Sequence, residues 1–469
     1  MNLILLILAT LLLVALYLRK KQVAPAPPPL LYDLQTPDWV KNAVIYQVNI
    51  RQFTKEGNFN AFATHLPRLK DMGVDILWLM PIFPICEEKK KCDVDGTTEC
   101  WGSPYAPYDF EAIHPRYGSE DDFRRLVEAI YQLGMKIILD FVPNHTGFGS
   151  KWIQEHPEWF IHKPDGSIMP VTSDQGEEWA DIAQLDLLNT DMREAWMQAH
   201  EYWVRKFDID GYREDCAWAI APDFWLELRQ RLNAMKPVYM LAEDEVHGKE
   251  QFDVCFETNY GWGNHHFMKN TANGSYLASD LHKHTESIKK RFGTRGWQMN
   301  FTQNHDENTW HGPESELFGN GGDCYTALMF LMEGMPCIYN GQEASLDKRL
   351  SFFNKDEIDW SNMERTAFFK TLIDLKHTNK ALWHGRDGGF IHKIATSNNA
   401  NVYAFGREKD GDRVVGIFNM KDTPLSITIK NGRFTGKYKD VFTGEKFTLE
   451  AEMHYDLKGF EYHIFSNQV

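Results

Sequence analysis

The sequence is short of positive charge. Lys and Arg number 50 against 66 Asp and Glu over 469 residues, a formal charge of −16. A polyanion-binding surface needs the opposite balance, so no nucleic acid is expected as a partner. Cysteine is scarce, at seven residues. Three of them, Cys86, Cys92 and Cys100, cluster in one loop but lack the fourth ligand of a structural zinc site. Two of these three can pair as a disulfide if the chain is exported. Cys216, Cys255, Cys324 and Cys337 lie in apolar surroundings. Asp93, Asp95 and Glu99 share the loop with the three cysteines, fall short of a calcium-loop pattern and read as solvated surface. There is no internal repeat beyond an alternation of strand and helix. What is plentiful is aromatic: 30 Phe, 18 Tyr and 15 Trp make up 13% of the chain. Such a count fits either an aromatic-rich core or a set of flat rings on which sugar faces stack, and composition does not choose between them. With 43% hydrophobic and 25% charged residues the balance is that of a soluble globular protein. The length has room for two or three domains, or for one large barrel with an appendage.

One segment departs from that balance. Leu3 to Leu18 is apolar except for Thr10 and Tyr17, and Arg19-Lys20-Lys21 follows it. As a helix it would span about 24 Å, against a bilayer core of about 30 Å. Its length suits a secretory signal, but no Lys or Arg precedes it and Ala24-Pro25-Ala26 is a poor cleavage site, so an uncleaved anchor is the alternative. Positive residues behind the apolar run favour a cytoplasmic bulk, whereas long domains translocate largely regardless of flanking charge. The expectation is export (periplasmic, secreted or membrane-anchored), with membrane contact through residues 3–18; a cytoplasm-facing anchor is the alternative. Residues 1–21 are thus signal or anchor, and 22–38 a proline-rich spacer.

From Asn42 onward apolar β-rich runs alternate with amphipathic stretches. Strands are expected at 43–50, 75–81, 136–142, 210–217 and 237–243, and in runs starting at Asp253, Gln298 and Cys337. Helices are expected at 60–72, 121–133 and 222–235, the first two stopped by Gly73 and Gly134. Eight such units predict an α/β fold, a (β/α)8 TIM barrel over residues 39–384. The stretch from His145 to Asp191 has no long periodic element and predicts a subdomain inserted after the third strand, about 146–190. Short alternating strands beyond Gly385 predict a C-terminal antiparallel β-sandwich over 385–469.

In such a barrel the chemistry sits where strands end. The third strand ends in Asp140-Phe141-Val142-Pro143-Asn144-His145, and the fourth runs Gly211-Tyr212-Arg213-Glu214-Asp215. The fifth ends at Glu243, and the seventh leads to Asn304-His305-Asp306. Alternation puts Arg213 and Asp215 on one face and Tyr212 and Glu214 on the other. Convergent carboxylates, one arginine and two histidines suit glycoside hydrolysis. That chemistry needs one ionised carboxylate as nucleophile and one protonated carboxyl as acid. Arg213 beside Asp215 is the cation expected to hold the nucleophile, while the apolar approach Met240-Leu241-Ala242 and the charges of Asp215 and Asp306 would raise the pKa of Glu243.

These segments resemble the alpha-amylase superfamily, glycoside hydrolase family 13. DFVPNH (140–145), GYREDCAWA (211–219), the AED around Glu243 and FTQNHD (301–306) match its four short regions in order. GMPCIYNGQE (334–343) matches the eighth-strand region and AQLDLLN (183–189) the stretch that closes the inserted domain. The resemblance implies a retaining hydrolase of α-glucosidic bonds in starch-like glucans or maltooligosaccharides. Asp215 would be the nucleophile, Glu243 the acid/base and Asp306 the transition-state carboxylate. Arg213 would position Asp215, Asp140 would pair near Arg213, His145 and His305 would bond sugar hydroxyls, and Tyr105 would stack on the cleaved sugar. No cofactor is required for this chemistry. Where many members carry Lys-His after the nucleophile, serving acceptor sugars and a calcium site, this chain has Trp218-Ala219. Trp218 is then an acceptor-side platform or packing, and Asn144 a structural calcium ligand or a loop brace. Trp101, Trp152, Trp159, Trp179 and Trp310 are further candidate platforms. Two alternatives share the scaffold: a transglycosylase or isomerase on maltose, trehalose or sucrose, and a non-catalytic membrane-anchored subunit.

Overall fold

The computed structural model describes residues 33–93, 99–173 and 176–468. The apolar N-terminal stretch, most of the proline-rich spacer and Asp95 lie outside the described residues. Among the described residues no helix is long and apolar enough to cross a membrane.

Eight parallel strands close a barrel: β1 (Ile45–Val48), β2 (Ile76–Leu79), β3 (Lys136–Phe141), β4 (Gly211–Glu214), β5 (Tyr239–Ala242), β6 (Thr258–Tyr260), β7 (Trp297–Asn300) and β8 (Met335–Tyr339). Strand β8 closes on β1, with Cys337 opposite Ile45. Every residue of β1, β2, β4, β5 and β8 is buried, because helices cover the outer face of the sheet and side chains fill its interior. The expected strand at Asp253 is not one. Asp253 and Val254 end the helix Gly248–Val254, and the sixth strand follows it as Thr258–Asn259–Tyr260. Polar Thr258 and Asn259 are fully buried there, so the strand lacks the apolar run by which its neighbours announce themselves.

Helix boundaries follow local chemistry. Glu120–Gln132 starts at a capping box in which the Ser119 side chain accepts from the Asp122 amide and the Asp122 carboxylate accepts from the Ser119 amide. Pro222–Met235 opens on a proline, whose missing N–H costs nothing at a first turn. The expected helix at 60–72 is broken into Phe59–Ala63 and Leu66–Met72. Pro67 cannot donate to a carbonyl one turn back, so a new helix begins at Leu66 with proline in its first turn, and Gly73 ends it at φ 102°.

The chain leaves the barrel at His145 and forms a three-stranded antiparallel sheet, with Glu178–Gln184 paired between His145–Gly147 and Pro170–Thr172. After the barrel, a six-stranded and a three-stranded antiparallel sheet enclose a second core containing Val402, Val415, Ile417, Ile427 and Ile429. Two of these strands, Lys446–Leu449 and Glu452–Leu457, carry too few apolar residues to stand out in the sequence. Buried Arg407 fastens this part to the barrel by donating to the carbonyls of Leu331 (3.0 Å) and Met332 (2.7 Å).

One glycine is demanded by the barrel itself. At Gly211, φ is 151° and an added Cβ would lie 1.8 Å from the Tyr239 carbonyl oxygen on β5. Backbone cannot yield there without parting β4 from β5. Gly211→Ala is therefore expected to cost about 3 kcal/mol or more of stability, read as a fall in the urea unfolding midpoint; a midpoint equal to the wild type would refute this account of the strand pair.

Candidate functional site

The strand ends converge on the Arg213 guanidinium. Its Nη1 donates to Asp140 Oδ1 (2.7 Å) and Asp215 Oδ1 (2.9 Å), its Nε donates to the Tyr260 hydroxyl (3.0 Å), and Nη2 lies 3.1 Å from Glu243 Oε1. Sheet register makes this possible, since Asp140 on β3 stands opposite Arg213 on β4 and Arg213 stands opposite Leu241 on β5. Rings box the cation in: its centre lies 5.4 Å from the Trp78 ring, 5.4 Å from Tyr260 and 5.7 Å from Tyr105. On the outward face Tyr212 donates to the His200 carbonyl and Glu214 meets His200 Nε2, so these two residues serve the packing of the helix Thr190–Phe207.

Asp215 ends the β4 ladder, its amide donating to the Phe141 carbonyl (2.8 Å). Cys216 then turns left-handed at φ 48°, and its amide donates to Glu243 Oε2 (2.8 Å). A carboxylate oxygen of Asp215 lies within 4.8 Å of one on Glu243. Burial, with Asp215 and Asp306 adding repulsion, pushes the Glu243 carboxyl well above its ordinary range against the pull of Arg213. Burial likewise raises Asp306 to about 6 and Asp140 to about 7. Asp306 opens a π-turn, Glu307–His311. The Glu307 carboxylate, 2.9 Å from His265 Nε2 and 3.3 Å from His311 Nδ1, anchors that turn. Those partners outweigh the desolvation of Glu307 and hold it near 2.

A second set of bonds orders the histidines. Gln47 on β1 donates from Nε2 to His305 Nδ1 (2.7 Å). His305 therefore carries its proton on Nε2 and donates to the Tyr105 hydroxyl (2.8 Å), which in turn donates to Asp140 Oδ2 (2.9 Å). Burial and the Arg213 charge push His305 well below its usual pKa, so it works as a neutral donor. The Tyr105 ring stacks on His305 at 5.3 Å. His145 donates from Nε2 to the Tyr105 carbonyl (3.0 Å), and burial lowers its pKa as well.

These groups line a cavity of about 370 Å³ that takes in Tyr105, His145, Asp215, Glu243, His305 and Asp306. Arg213 and Asp140 sit fully buried beneath it. Of the five candidate tryptophan platforms, Trp179 and Trp310 face the cavity. Trp101 stacks on His114 at 5.7 Å, and Trp152 and Trp159 pack on each other at 5.4 Å. Trp218 is not brought into the cavity. The turn Ala217–Ala219 that follows left-handed Cys216 carries it to a neighbouring hollow of about 230 Å³, beside His247 and Glu250. Sequence reasoning missed Gln47, Trp78 and Tyr260 beneath the site, and Lys91, Ser103, Asp181, Phe352 and Phe353 around it. Gln47 had a signal, as a lone polar side chain inside an apolar strand; Trp78 and Tyr260 stand among ordinary core residues, Asp181 on a strand of the inserted sheet, and the others on irregular loops.

The chain matches the alpha amylase catalytic-domain family over residues 42–393. It belongs to the alpha-amylase family of glycoside hydrolases. It is 26% identical to the intracellular maltogenic amylase of Bacillus subtilis over 84% of this chain and 71% of that protein. It is also 26% identical to the cyclomaltodextrinase of Geobacillus thermopakistaniensis, over 89% and 75%. Among solved structures, a noncanonic maltogenic alpha-amylase from Thermotoga neapolitana superposes with a TM-score of 0.80 at 24% identity, covering 91% of this chain and 99% of that one. An alpha-amylase from Lactobacillus plantarum gives 0.79 at 26%, with the same coverage.

In this amylase-family enzyme the disulfide joins Cys92 to Cys100, and Cys86 is buried and free. Asp93, expected as solvated surface, instead accepts from the Ser351 hydroxyl and the Phe353 amide, because the disulfide loop is laid against the segment after β8. The calcium-ligand reading of Asn144 does not fit the residues present. Its Oδ1 accepts from Gln184 Nε2 at 3.1 Å, which puts a donor where a cation would sit, and position 219 offers an alanine.

The raised Glu243 carboxyl has a stability consequence. A group whose folded pKa lies above its unfolded value of about 4.3 contributes stability that is complete below that value and is lost as pH rises through the folded pKa. Glu243→Gln removes this penalty. The melting temperature of the variant relative to wild type is thus expected to rise from pH 5 to pH 8; a difference independent of pH would contradict a carboxyl held protonated by its surroundings.

Proposed function

We propose that this enzyme hydrolyses α-glucosidic bonds in maltooligosaccharides and starch-like glucans with retention of configuration, through a β-glycosyl ester on Asp215. The observation that carries the reading is the separation of the two carboxylates, within 4.8 Å at their nearer oxygens. Retaining enzymes place these groups about 5–5.5 Å apart, whereas an inverting pair needs roughly 6.5–9.5 Å to admit a water between nucleophile and sugar. Asp215, fixed by Arg213, attacks the anomeric carbon while Glu243 gives its proton to the departing glycosidic oxygen. Glu243, now a carboxylate beside Arg213 and the Cys216 amide, then takes a proton from the water that opens the ester. Asp306 supports the sugar hydroxyls as positive charge develops on the ring. Tyr105 supplies a stacking face, and the neutral rings of His145 and His305 border the place of the cleaved sugar.

The named relatives, a maltogenic amylase and a cyclomaltodextrinase, support linear or cyclic α-glucans as the substrate class. Export through the N-terminal segment belongs to the same proposal, and the Cys92–Cys100 bond suits an oxidising compartment.

Two measurements test this. Asp215→Ala should lower kcat on maltotriose on the order of 10⁴-fold or more, with the Tm little changed. Proton NMR of the sugar freshly released by wild type should show the α-anomer first; a β-anomer appearing first would exclude the ester on Asp215.

A further inference from the structure

One contact outside the catalytic carboxylates replaces something rather than adding to it. The side-chain nitrogen of Gln184 lies 3.1 Å from the Asn144 carbonyl oxygen, 3.1 Å from Asn144 Oδ1 and 3.2 Å from the Leu185 carbonyl oxygen. Three oxygens from two segments thus converge on a single NH2 group, which shares its two hydrogens among them. Convergence of backbone and amide oxygens on one point is how a protein holds a hard cation. Here the point is filled by a covalently attached donor. The geometry points to Gln184 as a built-in substitute for a structural cation, tying the inserted sheet to the end of β3 without any dissociable ion.

The placement explains why such a tie is needed. Gln184 is the last residue of the strand Glu178–Gln184 and stands opposite His145 in the sheet register. Asn144 is the residue before His145, and the Leu185 amide donates back to the Asn144 carbonyl (3.3 Å). Asn144 Nδ2 in turn lies 3.4 Å from His145 Nδ1. The histidine that faces the cavity is therefore held from behind by a chain that starts at the Gln184 amide. A calcium ion would need six to eight oxygens at about 2.3–2.6 Å. The three oxygens present already spend lone pairs on N–H groups, and Asp181, the nearest carboxylate in that strand, is paired with Lys91 at 2.7 Å. An amide in this role carries no charge and cannot be removed by a chelator.

The test reads unfolding rather than catalysis and so does not depend on the proposed reaction. Thermal unfolding of the full chain is followed with excess EDTA and with millimolar calcium chloride, for wild type, Gln184→Ala and Gln184→Glu. Wild type should unfold at one temperature in both media. Gln184→Ala should fall by about 2–4 °C in both, since an uncharged hole recruits no ion. Gln184→Glu sets a carboxylate among three oxygens, so it should unfold earlier than wild type in EDTA and recover with calcium. A drop of wild type in EDTA overturns the inference, as does a Gln184→Ala melting point equal to that of wild type. If Gln184→Glu fails to fold, the other two chains still decide the question.

Discussion

A single buried cation organises this enzyme. Arg213 has no solvent exposure and touches Asp140, Asp215 and Glu243, with Asp306 close behind. Four carboxyls around one guanidinium cannot all be ionised in a dry site, because each further negative charge meets repulsion that one positive charge does not offset. The surplus therefore appears as held protons. Burial holds the Glu243 carboxyl well above its ordinary range with one backbone amide donating to it, while Asp140 accepts from Arg213, Tyr105 and the Trp78 indole. An unequal sharing of protons among these carboxyls is thus a consequence of charge counting in a closed space, and the barrel's contribution is to bring four strand ends to one point.

The aromatic excess serves that same economy. Trp78, Tyr105 and Tyr260 surround the guanidinium with ring faces, which tolerate a cation where water is absent. Outward from them the rings continue as Tyr105, Phe352 and Trp310, at centroid spacings of 6.1 and 5.1 Å. A wall that begins as a lining for charge ends as a half-exposed apolar face at the mouth of the cavity. The sequence count could suggest core or sugar platform; the rings surround a buried charge at one depth and face the open cavity at another.

The barrel and the carboxyls that gather on Arg213 were legible because their signals are local. Apolar β-rich runs such as Ile76–Leu79 and Met335–Tyr339 identify strands, and a polar residue at the end of such a run identifies the open face. The rest is set by tertiary context. Strand Thr258–Tyr260 hides because its buried Thr and Asn look like a turn. Trp218 stands in the chain where many family members carry a lysine, but the turn after left-handed Cys216 places it at a hollow outside the cavity. Which two of three loop cysteines pair depends on whether a third is taken into the packing of the inserted sheet, as Cys86 is; spacing alone carries no trace of that. Asn144 was legible as a brace or a ligand, and the choice rested on Gln184, forty positions away.

The loop carrying the disulfide is held in an unusual way for a cavity wall. Lys91 reaches Asp181 in the inserted sheet, Asp93 and the amides of Trp101 and Gly102 reach the segment 351–354, and Arg51 donates to the Gly102 carbonyl from below. These anchors are the inserted sheet, the helix Ile50–Phe53 and the segment 351–354; among the described residues none of them is a barrel strand. Insertions or deletions there would reshape the entrance while leaving the eight-strand register and the Arg213 cluster undisturbed. The wall is thus separable from what lies beneath it: a change in one cross-linked segment alters the cavity's entrance, where Lys91 stands, without touching the carboxyls on Arg213.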